Sequence, residues 1–124
     1  MIILKNIVFD IKNSNWGLIG PDSWCEKEWK IYDDMSVSYT IVYNSTENNT
    51  NTFSFKLSID EFDSIISNIE SAKNDNTKVD AYDGEAWEFV EYNNGMEVWK
   101  RNMGYIYGIS TLENIVDILR KETK

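Results

Sequence analysis

The sequence predicts an α+β fold, an antiparallel sheet of about five to six strands with two helices packed on one face. Two Ser-x-x-Glu boxes each precede a run with helical apolar spacing, which supplies the helices. Several short runs alternate apolar and polar residues between turn-rich segments, which supplies the strands. The chain has 124 residues, enough for one core but too few to divide into two, so residues 1–124 are expected to form a single domain.

Residues 1–12 read as the first strand: the apolar start is interrupted by Lys5, Asn6 and Asp10, unlike a signal peptide or a membrane span. "NSNWGLIGPDSW" then carries the Asn, Ser, Gly and Pro of a loop, and "EKEWKIYDD" fits neither period cleanly. In "VSYTIVY", Val37, Tyr39, Ile41 and Tyr43 alternate with Ser38, Thr40 and Val42. Phe53, Phe55 and Leu57 alternate in the same way with Ser54 and Lys56. The polar "NSTENNTN" between them makes the two runs a long-looped hairpin.

Ser58 with Glu61 opens the first helix, whose apolar stripe is expected to be Ile59, Phe62, Ile65, Ile66 and Ile69. "AWEFVEY" and "MEVWKR" flank Asn93-Asn94-Gly95 as a hairpin. A two-residue Asn94-Gly95 turn would group Trp87 and Phe89 with Val98 and Lys100. A three-residue loop with Gly95 left-handed would group them with Trp99 and Arg101. The second is preferred because it sets Phe89 opposite Trp99 and Glu88 opposite Lys100, although it also brings Glu91 near Glu97. "GYIYG" reads as a short last strand. Ser110 with Glu113 then opens a helix carrying Leu112, Ile115, Val116, Ile118 and Leu119.

The formal net charge is −9, and it is uneven. Between Asp60 and Glu97 lie eleven acids against Lys73 and Lys78, so this window alone carries −9. Such a surface repels nucleic acid and anionic lipid and attracts basic partners. The expected partner is therefore a basic protein, with neither nucleic acid nor membrane. The expected location is cytoplasmic, since a lone Cys25 makes no internal disulfide.

The chain has no histidine, which removes His-activated nucleophiles and His metal sites together. Cys25, beside Glu26, reads as a structural cysteine. "DAYDGE" lacks the ligand series of a calcium loop, and Gly104 and Gly108 read as turn glycines without the features of a phosphate loop. No catalytic residue, metal site or cofactor is expected. Candidate partner-binding residues are instead the acids Asp80, Asp83, Glu85, Glu88 and Glu91, with Asp33 and Asp34, and the aromatic anchors Trp24, Trp29 and Trp99. Trp16, Trp24 and Trp29 could serve core, interface or ligand site.

"DGEAWEFVEY" at Asp83 to Tyr92 and "GYIYGISTLENIVDIL" at Gly104 to Leu119 resemble segments of small, acidic bacterial proteins, and the whole chain resembles the immunity proteins of polymorphic and contact-dependent toxin systems in size, acidity and organisation. The resemblance implies a non-enzymatic protein that occludes a basic toxin domain with an acidic patch and aromatic anchors. The alternatives are a nucleic-acid-mimicking inhibitor from a phage or mobile element and a small-ligand or carbohydrate module built on the tryptophans.

Overall fold

The computed structural model describes residues 5–15, 23–43, 50–75, 84–104, 106, 108–121 and 123. The elements are β1 (Ile7–Asn15), β2 (Trp24–Tyr32), β3 (Ser36–Tyr43), β4 (Thr50–Lys56), α1 (Ile59–Ala72), β5 (Glu85–Asn93), β6 (Met96–Met103) and α2 (Ser110–Lys121). All six strands form one sheet in the order β4-β3-β2-β1-β5-β6, and every neighbouring pair is antiparallel. The predicted α+β class is what the chain adopts, with six strands and two helices among the described residues.

Side-chain alternation sorts the sheet into two faces. Phe9 and Ile11, Trp29 and Ile31, Val37, Tyr39 and Ile41, Trp87 and Phe89, and Met103 point to one side and join a single buried cluster with the inner residues of both helices. On that side four ring contacts run from Phe89 to the far edge: Phe89 to Trp87 at 6.0 Å, Trp87 to Trp29 at 6.2 Å, Trp29 to Tyr39 at 5.1 Å and Tyr39 to Phe53 at 6.3 Å between centroids.

The capping box at Ser58 forms as expected: Glu61 N–H donates to Ser58 Oγ at 3.1 Å and Ser58 N–H donates to Glu61 Oε1 at 2.9 Å. α1 starts directly after β4, at one edge of the sheet. At the other edge, Arg101 of β6 donates to the carbonyls of Ala72 and Asp75 at the helix C-terminus. The helix therefore runs across the strands. Its 14 residues measure about 21 Å, close to the roughly 24 Å that six strands occupy side by side.

Several local expectations are corrected. "EKEWKIYDD" lies almost wholly in β2, so a strand replaces the ambiguity. "GYIYG" supplies no strand among its described residues; Ile109 N–H closes a turn onto the carbonyl of Ile106, and Gly108 takes φ 91°. α2 forms, but Ser110 lies inside it, and Glu113 instead accepts from the N–H of Gly108 at 2.8 Å. In α1 the buried residues are Ile65, Ile69 and Ala72, whereas Ile59 and Ile66 face solvent.

The β5–β6 turn is the two-residue form, Asn94 at φ 52° and Gly95 at φ 81°, closed by the pair Asn93 and Met96. A register shift one step along, between Glu91 and Tyr92, leaves Val98 as the extra residue and restores the parity of the strand. Trp87 and Phe89 thus share a face with Trp99 and Arg101, as the three-residue reading required. The register is nevertheless two residues away from that reading: Phe89 sits opposite Arg101, and Glu88 opposite Asn102.

Candidate functional site

The outer side of α1 is a surface that apolar spacing alone misassigned. Ile59, Asp63, Ile66 and Glu70 are separated by four, three and four residues, so they form one row along the helix. Ile59 is 66 % exposed and Ile66 37 % exposed, and Asp60, Asp63 and Glu70 around them are exposed as well. Two large apolar side chains thus stand in solvent among carboxylates. The helix offers more apolar positions than the sheet beneath it can cover, because only Ile65, Ile69 and Ala72 turn fully inward and Phe62 is partly buried.

The row ends at Lys73. Its ammonium lies 2.8 Å from Glu70 and 2.6 Å from Glu91 of β5, tying the helix C-terminus to the sheet. Hydrogen bonds to Glu70 and Glu91 hold the Lys73 ammonium above its ordinary pKa.

The predicted acidic strand does not make one patch. Glu85, Glu88 and Glu91 are three residues apart, and a strand sends such positions alternately to opposite faces. Glu88 lies on the face opposite the helices, 3.7 Å from Lys100. Glu91 is on the helix side with Lys73, and Glu85 accepts a 2.7 Å hydrogen bond from Trp87 Nε1 on that same side. The spacing itself carried this signal, once the segment was read as a strand. Asp80 and Asp83 lie outside the described residues, as does Trp16.

Asp33 and Asp34 build the β2–β3 turn. Asp33 accepts from the N–H of Asn6 at 3.2 Å, and Asp34 accepts from the hydroxyl and the N–H of Ser36, which hold its carboxyl below its ordinary pKa. Trp29 is 1 % exposed and packs between Tyr39 and Trp87, so it belongs to the core and is no surface anchor. Trp24 and Trp99 are half-buried against that core; the ammonium of Lys27 sits 4.3 Å from the Trp24 ring centre.

The sheet face opposite the helices mixes signs. Strand register places Lys30, Asp10, Val90 and Lys100 in one row and Glu28, Lys12, Glu88 and Asn102 in the next. Lys12 lies 3.7 Å from Glu28. Burial alone would lower the Lys12 ammonium, but the carboxylates of Glu28, Asp10, Glu88 and Glu26 outweigh it and hold its pKa above the ordinary value. Asp10 is only 9 % exposed, and its Oδ1 has no hydrogen-bond partner. Burial, a hydrogen bond to Glu28 and the charge of Glu28 push its pKa up to about 7, against the pull of Lys12 and Lys30. Beside it, Lys12, Ser14, Ala86, Glu88 and Asn102 line a depression of about 200 Å³.

Among the described residues no group of three Cys, Asp or Glu side chains is arranged to hold a metal ion, and no helix is long and apolar enough to cross a membrane. No protein-family model and no curated protein matches the chain.

Proposed function

We propose that the chain is a non-enzymatic binding protein of the immunity type, which neutralises a basic toxin domain by covering it. The observation that carries this reading is the outer row of α1, where Ile59 and Ile66 stand exposed between Asp60, Asp63 and Glu70. Apolar side chains that a partner buries slow its dissociation, and carboxylates around them speed the encounter with a positive surface. The net charge of −9 extends that attraction beyond contact distance. The acids of β5 are assigned a smaller part than the sequence suggested, because they divide between the two faces of the sheet and several are already paired.

The test uses the product of the gene directly upstream of this one, the place where this reading expects a toxin gene. Association is followed by stopped flow for the wild type, for Asp60→Lys with Asp63→Lys, and for Ile66→Ser. The charge reversal should slow association at least about tenfold at low salt and flatten its salt dependence, while Ile66→Ser should mainly raise the dissociation rate. Rates unchanged in both variants would remove α1 from the interface, and failure of the upstream product to bind the wild type would remove the toxin assignment.

A further inference from the structure

The order of the sheet makes β4 and β6 its edges among the described residues, and the two differ. β6 contains Glu97, Lys100 and Arg101, has a register shift against β5, and sends Arg101 to the end of α1. β4 reads TNTFSFK: it has no proline, pairs with β3 along its length without a register shift, and carries charge only at Lys56. β3 behind it, SVSYTIVY, has no charged residue. Natural edge strands are usually guarded by charge, proline or a bulge, and β4 has only its terminal lysine.

The direction of the outward backbone groups follows from the ladder. Leu57 N–H donates to the carbonyl of Met35 at 2.9 Å, and the same register pairs Phe55 with Val37 and Phe53 with Tyr39. Antiparallel pairs alternate between bonded and non-bonded, so Phe53 and Phe55 exchange their bonds with β3. Thr52, Ser54 and Lys56 therefore aim their N–H and C=O groups away from the sheet. Phe53 is 56 % exposed, touches Tyr39 on the inner side, and is the last ring in the series that begins at Phe89.

We propose that a second copy of this chain docks on this edge, β4 pairing antiparallel with β4 of the second copy about a two-fold axis at Phe53, so that two sheets become one. Thr52 then faces Ser54 of the second copy in a bonded pair, and each Phe53 faces the other in the closer, non-bonded pair, where aromatic side chains meet. The two-fold relation uses the same surface on both copies. Charge selects the place: two chains of −9 repel, and the β3–β4 margin is where neither strand contributes a carboxylate.

Sedimentation velocity across micromolar to submillimolar concentration tests this with the full chain. The wild type should shift from one 14.5 kDa chain to a species of twice that mass as concentration rises. Thr52→Pro removes an outward N–H at an edge position that tolerates proline, and Phe53→Lys sets two ammonium groups face to face. Each should weaken association at least about tenfold while far-UV circular dichroism stays that of the wild type. If Thr52→Pro does not fold, Phe53→Lys, at an exposed position, decides alone. A wild type that remains a single chain at the highest concentration would overturn the proposal, as would a dimer that a folded Phe53→Lys leaves intact.

Discussion

Trp29 and Trp87 stack with their planes 6° apart and their centres 6.2 Å apart, although β1 separates the strands that carry them. The two indoles reach toward each other over the central strand, with Tyr39 against one and Phe89 against the other. Arg120 of α2 places its guanidinium 5.5 Å from the Trp87 ring centre, closing the stack from the helix side. The pair therefore joins β2, β5 and α2 in one contact.

Truncating either ring leaves a large cavity in a core where both are almost fully buried. Trp87→Ala should lose about 3–5 kcal/mol of unfolding free energy in urea titration, and Trp29→Ala a similar amount. Each should also abolish the near-UV circular dichroism of the coupled indoles. A loss below about 1 kcal/mol would mean the stack does not hold the layers together.

Asp10 predicts a pH dependence with a definite sign. Its carboxyl binds a proton more readily folded, near pH 7, than at its ordinary value of 3.8, so the folded state holds the extra proton between those limits. Its contribution to stability therefore falls as pH rises from about 4 to about 7 and stays low above. Asp10→Asn, which can still donate to Glu28, should exceed the wild type by about 1–3 kcal/mol at pH 8 and lose that advantage by pH 4. Urea midpoints at the two pH values measure it; an advantage that does not change with pH would contradict the assignment.

Ser58→Ala removes half of the capping box of α1 and should cost about 1 kcal/mol, read as a lowered thermal midpoint. Ser110→Ala makes the useful contrast. Because Glu113 reaches back to Gly108 independently of that hydroxyl, the same substitution at Ser110 should change stability by less than about 0.5 kcal/mol.

Gly95 isolates a backbone effect. A Cβ there would meet nothing within 4 Å, so the whole cost of Gly95→Ala comes from φ 81°. The expected loss is about 1 kcal/mol, with the β5–β6 register unchanged in amide exchange.

Lys73→Met tests the tie between α1 and β5. Glu91 keeps only 20 % of its side chain exposed, and removing the ammonium leaves that carboxylate uncompensated. The expected loss is roughly 1–2 kcal/mol in low salt, smaller in 1 M salt.

The sequence was most informative where one physical rule acted alone. Ser58 and Glu61 needed only local geometry, and the inward set of β3, Val37, Tyr39 and Ile41, needed only period two. β2 was obscured because Lys27 occupies an inward position, its ammonium drawn over Trp24, which breaks the alternation that Trp29 and Ile31 would otherwise show. Ile59 and Ile66 escape a reading by spacing because helical spacing says which residues share a face, while the sheet below decides how wide a face it can cover. Trp29 was ambiguous for a similar reason: its partner Trp87 lies far along the chain, and no local window contains both. Exposure, not spacing, sets the α1 row apart from the buried stripe.

β1 joins an early strand to a late one, with β2 on one side and β5 on the other, so Phe9 pairs with both Ile31 and Glu91. On a ribosome the second ladder cannot form before β5 emerges. The first needs the chain only as far as Tyr32 and the second as far as Asn93, so one margin of the nascent meander has no partner until β5 has been made. The strand that ends between β2 and β5 is thus an open margin until residues Glu85–Asn93 exist.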